Sequence, residues 1–167
     1  MHATWQEAGR RRQLKRSFRT KHAAKDELAR FLGAHHAGNF VQPTRLTVAE
    51  FLEPWLDGLT NQGRRPSTLF GYRQVFKNYV LPRLGGMALQ DLRVTDVDAL
   101  YADLLRTGRQ DGSGLAMSSV QHVHTAFNKM LNDAERKGLI TRNVARLANH
   151  PSQAAARASA PEMQAWT

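Results

Sequence analysis

At 167 residues the chain has room for one domain or two small ones, and 41% hydrophobic with 23% charged residues is ordinary for a globular protein. No apolar run approaches the ~18 residues of a membrane span, no signal-peptide pattern is present, and the absence of cysteine excludes disulfides and thiolate chemistry. A cytoplasmic, nucleoid-associated protein is expected. The net charge is +10 and is unevenly placed: residues 1–45 hold 10 Lys/Arg against 3 Asp/Glu, residues 46–146 hold 13 against 10, and the last 21 hold one of each. A basic arm ahead of a milder body points to a polyanion, and nucleic acid fits better than a membrane surface because the apolar faces come in sets able to bury one another.

Residues 1–20 read as a short β element turning at Gly9, with basic and apolar positions partly alternating from Arg12 to Phe18. Its cations Arg11, Arg12, Lys15 and Arg16 are candidate DNA contacts. Thr20 reads as the cap of a helix lined by Ala23, Ala24, Leu28, Phe31 and Leu32 that stops at Gly33. His35 and His36 follow without further ligands at metal spacing, so solvated loop residues are expected. The segments divide as an N-terminal element over 1–37, a linker over 38–46, a helical domain over 47–147 and a second linker over 148–167.

In the helical domain, Thr47 and Glu50 form a capping box. Val48, Phe51, Leu52, Trp55, Leu56 and Leu59 make the stripe behind it, with a kink expected at Pro54. The next helix is expected to begin at Ser67 as N-cap and to end at Pro82 and Gly85-Gly86. It buries Leu69, Tyr72, Phe76, Tyr79 and Val80, leaving Phe70, Arg73, Gln74 and Lys77 on the adjoining face. Thr95 caps a third helix with Val97, Leu100, Tyr101, Leu104 and Leu105 inward, and Asp96 and Asp98 serve as helix-start charges. After a Gly-rich loop over 108–114, Ser118 or Ser119 starts the longest helix, with Val120, Val123, Phe127, Met130, Leu131 and Ala134 buried. Ser118, His122, Thr125 and Lys129 form its polar stripe. A short fifth helix is expected over Leu139–Leu147. The chain is therefore mainly α: a four- to five-helix bundle preceded by a short β-hairpin and helix.

Catalysis finds no constellation here. The three tyrosines sit on or beside apolar stripes, His122 and His124 point about 200° apart on a helix, and Gly112-x-Gly114 lacks the lysine of a phosphate loop. No catalytic residue, metal site or cofactor is expected. Two polar stripes remain, poor in acid and led by hydroxyl-bearing helix starts suited to phosphate. The candidate DNA-binding residues on them are Arg64, Arg65, Ser67, Thr68, Arg73, Gln74 and Lys77, and Ser118, Ser119, His122, Thr125 and Lys129. A helical module that docks another protein, with no direct DNA contact, stays open as the alternative.

The succession TVAEFLEPWL, RPSTLFGYRQVFKNYVLPRLG, LRVTDVDALYADLL and MSSVQHVHTAFNKMLNDAERKGLITRNVA resembles the core-binding domain of tyrosine recombinases (phage integrases) over residues 46–147. Residues 5–32 resemble the end of the small arm-binding domain of these integrases. The resemblance implies a SAM-like orthogonal bundle forming half of a clamp on double-stranded DNA, with the helices at Ser67–Leu81 and Ser118–Lys137 against the major groove of the core recombination site. Val144 stands where that family usually has proline. The resemblance also implies a parent site-specific tyrosine recombinase that self-associates on DNA as the full-length protein. The Arg, His and Tyr constellation of strand cleavage matches nothing here, so binding without cleavage is expected of this stretch.

Overall fold

The alternating N-terminal segment forms two paired strands in the computed structural model, which describes residues 2–7, 10–15, 17, 20–23, 25, 26, 29, 41, 43–109 and 111–150. Strands β1 (His2–Glu7) and β2 (Arg10–Lys15) run antiparallel, with Trp5 opposite Arg12 and His2 opposite Lys15. The second strand thus starts and stops earlier than the alternation from Arg12 to Phe18 predicts. The Thr20 hydroxyl accepts from the Ala23 amide at 3.2 Å, the bond expected of an N-cap. Gly9, Arg16, Gly33, His35 and His36 lie outside the described residues. The chain divides into two units, Met1–Val41 and Gln42–Thr167, and the second is the helical one.

Within it, α1 (Val48–Asn61) opens on the predicted capping box: Thr47 Oγ1 accepts from the Glu50 amide, and the Glu50 carboxylate accepts from the Thr47 amide at 2.8 Å. The helix continues through Pro54, and its six predicted apolar residues are all buried. An antiparallel bridge pairs Thr47 with Ala88, and the Val48 amide donates to the Met87 carbonyl. The segment after the second helix is thereby pinned to the start of the first, with Leu89 and Leu92 in the core.

The second helical stretch differs from expectation at both ends. Helix α2 (Pro66–Val75) starts two residues early, with Arg65 as N-cap and Pro66 in the first turn; Ser67 is not the cap. Proline has no amide to leave unsatisfied there and its fixed φ suits a helix start. At the far end Pro82 does not stop the chain. A wide, π-type turn (Phe76–Val80) intervenes, in which the Leu81 amide donates to the Phe76 carbonyl, and a last turn α3 (Leu81–Leu84) carries Pro82 inside it. In a regular helix the Pro82 ring would crowd the Asn78 carbonyl four residues back, and one extra residue in the turn relieves that.

Helix α4 (Val94–Thr107) is capped by Arg93 rather than Thr95, with the Asp96 carboxylate accepting from the Arg93 amide at 2.9 Å. Val97, Leu100, Tyr101 and Leu104 are buried as predicted, whereas Leu105 lies on the outside. Helix α5 (Met117–Arg136) begins at Met117 behind Ala116, so Ser118 and Ser119 fall inside its first turn and do not cap it. All six residues of its predicted stripe are buried, and His124, Ala126 and Asp133 join them. The predicted fifth helix shrinks to a single 3-10 turn (Val144–Leu147), which Asn143 caps by accepting from the Ala145 amide. Asn143 also donates to Asn128 and Asn132 of α5, so hydrogen bonds fix this segment where helix packing was expected. The chain stays on the bundle through Asn149, whose amide donates to Asp98 at 2.6 Å.

The core is one contiguous cluster drawn from α1 through the 3-10 turn. Trp55, Phe76, Tyr101 and Phe127 are its largest members, each contributing roughly 1.5–3 kcal/mol by leaving water. Trp55 lies 5.6 Å from Phe76, which meets Phe127 edge-on at 6.2 Å, so this aromatic column joins α1, the wide turn and α5. The fold is mainly helical. Among the described residues no helix is long and apolar enough to cross a membrane.

Candidate nucleic-acid interface

Residues 58–90 contain Arg64, Arg65, Arg73, Lys77 and Arg83 and neither aspartate nor glutamate. The first four of these cations lie on or beside α2, and the structure treats them differently. Arg64, Arg65 and Lys77 are exposed and make no ion pair among the described residues. Arg73 is exposed as well, but its guanidinium makes a two-pronged bond to Glu53 of α1, at 2.7 and 3.2 Å. That bond holds the Glu53 carboxyl below its usual range. Arg83 is likewise tied to Asp103 of α4. The sequence places no acid near Arg73; the fold supplies one from the neighbouring helix.

Ser67 is exposed in the first turn, with Thr68 and Gln74 half-buried. No side chain caps the start of α2, and its first residue, Pro66, has no amide to satisfy. Phe70 shares this surface with its side chain 62% exposed, the most open large apolar residue of the described chain.

On α5 the same sorting recurs. Ser118, His122 and Thr125 are exposed and Ser119 is half-buried, while the Thr125 hydroxyl donates to the Gln121 carbonyl at 2.9 Å. Lys129 is the exception in the predicted stripe. Its ammonium donates to both oxygens of Asp133, at 2.7 and 2.8 Å, and its charge is largely spent there. Asp133 is buried and also accepts from Trp55 Nε1 at 2.8 Å and from Arg136. Burial alone would raise the Asp133 carboxyl; the bonds from Lys129 and Trp55, the Lys129 charge and the Arg136 bond outweigh it and hold the group below its usual value.

His124, two residues from His122, is turned inward. Its Nδ1 lies 3.0 Å from the Tyr101 hydroxyl, and the His150 ring stands edge-on to it at 3.5 Å between centroids. Desolvation, reinforced by the His150 charge, lowers His124 to about 4, while burial pushes the Tyr101 phenol up. The pair is therefore neutral near pH 7, an interior hydrogen bond rather than a nucleophile and base facing a substrate.

The predicted residues thus lie along α2 with its approach and the wide turn after it, and on α5, and the wide turn meets α5 through Phe76 and Phe127. For Arg11, Arg12 and Lys15 the structure gives their backbone register in β2, and Arg16 lies outside the described residues. Among the described residues no cluster of three or more His, Cys, Asp or Glu is arranged to hold a metal ion. A cavity of about 440 Å³ opens between the wide turn and the Gly-rich loop, lined by Asn78, Tyr79, Gly108, Arg109 and Asp111.

Residues 47–105 match the family described as phage integrase, N-terminal SAM-like domain. An integrase from Streptomyces ambofaciens is 32% identical over 145 residues, which make up 86% of this chain and 35% of that relative. The solution structure of a phage integrase SAM-like domain from Moorella thermoacetica matches with a TM-score of 0.55 and 28% identity, over 68% of this chain and 92% of that one.

Proposed function

We propose that the helical region of this chain, whose residues 47–105 match the phage integrase N-terminal SAM-like domain family, binds duplex DNA at a core recombination site. In this reading the chain is the N-terminal part of a site-specific tyrosine recombinase, working in the cytoplasm on the nucleoid. Residues 47–147 act as the core-binding domain and residues 1–37 as part of an arm-binding element. Strand cleavage and self-association on DNA belong to the parent recombinase.

The observation that carries this reading is that α2 has no acid of its own and that Arg64, Arg65 and Lys77 stand exposed without ion-pair partners among the described residues, Glu53 being taken up by Arg73. Arg64 and Arg65 at the helix start, with Ser67 and Thr68 just after them, suit a phosphate there, and Lys77 in the wide turn offers a cation for a second beyond the far end of α2. Exposed His122 and Thr125 on α5 supply short polar groups of the kind that read base edges.

The test is duplex binding by fluorescence anisotropy across a salt series. Counterion release makes log affinity fall linearly with log salt, with a slope of about −0.9 per phosphate neutralised. A slope near −3 or steeper is expected. Absence of duplex binding at low salt, or association with a protein that ignores salt, overturns the reading.

A further inference from the structure

We propose that Phe70 is a base-reading residue, its ring taking the 5-methyl group of a thymine in the major groove. This rests on the reading of α2 as a groove-facing helix and names the chemical feature that the helix would recognise.

Among the described residues of the helical bundle every other Phe, Tyr and Trp is buried or half-buried, whereas Phe70 is 62% exposed. Its neighbours Leu69 and Tyr72 already pack against the core, and Tyr72 stacks on Trp55 at 5.3 Å, so the bundle is complete without Phe70. A lone exposed apolar side chain is ordinary on a protein surface. The company of this one is not. Residues three before, three after, four after and seven after it are Ser67, Arg73, Gln74 and Lys77, the positions that share its face of the helix. The face therefore offers hydroxyl, guanidinium, amide and ammonium groups around one apolar ring, with no acid in residues 58–90. A protein partner matching that ring would want an apolar surround, and here the surround is cationic. The major groove meets both demands, with phosphates along its walls and thymine methyl groups as the apolar features of its floor. The bond to Glu53 ties Arg73 to α1 and brings one acid to the edge of this face.

The test begins with in vitro selection of a preferred duplex from a randomised pool, using the full chain. Each thymine of that duplex is then replaced by deoxyuridine, which removes only the methyl group. For the parent, at least one replacement is expected to weaken binding about fourfold, the worth of one buried methyl-sized group. Phe70→Ala should bind thymine and deoxyuridine duplexes alike at that position, and Phe70→Leu should recover part of the difference. Thermal melts check that both variants fold as the parent does. If every deoxyuridine duplex binds the parent as tightly as its thymine counterpart, or if Phe70→Ala keeps the difference, the inference is overturned while duplex binding stands. Failure of the parent to select any duplex overturns both this inference and the reading beneath it. Self-association without DNA that Phe70→Ala abolishes, seen by sedimentation, assigns the ring to a protein contact and overturns the inference as well.

Discussion

The Trp55 indole donates to the buried Asp133 carboxylate at 2.8 Å across 78 residues of sequence, joining α1 to α5 at the same carboxylate that Lys129 and Arg136 reach. One carboxylate thus satisfies an indole and two cations in the interior wall of the surface proposed to meet DNA. Its burial makes the arrangement sensitive to loss of any member, because a charge left unpaired in the interior costs more than the bond was worth.

Asp133→Ala should therefore destabilise the bundle by about 3 kcal/mol, the lower end of the range for breaking a buried pair. Lys129 is half-buried and can turn to water, which keeps the figure low. Asp133→Asn retains an acceptor for Trp55 and should cost about half as much. Urea denaturation followed by tryptophan fluorescence measures both. Equal midpoints for the parent and Asp133→Ala would show that the carboxylate is not structural.

Acid should weaken the fold in two separable stages. His124 is lowered in the folded chain from 6.5 to about 4, so the unfolded chain takes up the proton first. Stability from this residue is fully present above pH 6.5, falls as pH drops from there toward 4, and then levels off, amounting to about 3 kcal/mol. Asp133, held below its usual value, contributes stability above the ordinary carboxylate range and loses it as pH falls through its folded value. The groups facing His124 are Tyr101 and His150, with Asp98 acting on the Tyr101 phenol. Unfolding free energies at pH 7.5, 6, 5 and 4.5 should show a smaller decline for His124→Gln than for the parent. Parallel curves would contradict the assignment.

Gly114 is expected to tolerate no side chain. A Cβ there would run into the Leu105 carbonyl, where the Gly-rich loop returns against α4 and the Leu115 amide donates to Leu104 at 2.9 Å. Gly114→Ala should cost about 2 kcal/mol, within the range for overpacking a site that must shift to accept it. Gly86, with open space around its added Cβ, is the control and should change the melt little when replaced by alanine.

The apolar stripes of α1, α4 and α5 were legible because their spacing follows the helical repeat, and all but Leu105 were assigned to the side on which they lie. Helix starts were less so. Ser67, Thr95 and Ser118 are sound capping residues by type, yet in each case the cap lies two residues earlier, at Arg65, Arg93 and Ala116. Where a helix begins depends on the path of the preceding loop, which local sequence does not record. The wide turn before Pro82 was hidden because proline reads as a stop unless neighbouring packing holds the helix together past it. On the candidate surface, residue types and faces were readable but ion pairs were not. Glu53 lies 20 residues from Arg73 and on another helix, while Asp133 lies one turn beyond Lys129, where its burial against Trp55 is what the spacing does not record.

Those ion pairs separate the cations of the surface into two kinds, and a set of variants tells them apart. Arg73→Ala with Lys77→Ala should lower duplex affinity and reduce the salt slope by about 1, for the phosphate contact of Lys77, because Arg73 is engaged by Glu53. Its melt should stay near the parent's, because the Arg73–Glu53 pair lies in solvent and contributes little to stability. Lys129→Ala should do the reverse, costing stability through Asp133 while leaving the salt slope almost unchanged. Glu53→Gln removes the acid that competes for Arg73 and should tighten duplex binding. Anisotropy titrations at several salt concentrations, paired with melts of the same samples, measure all three. A double variant that binds as tightly as the parent would remove α2 from the DNA surface, and a Lys129→Ala variant that loses affinity without losing stability would place that ammonium on DNA rather than on Asp133.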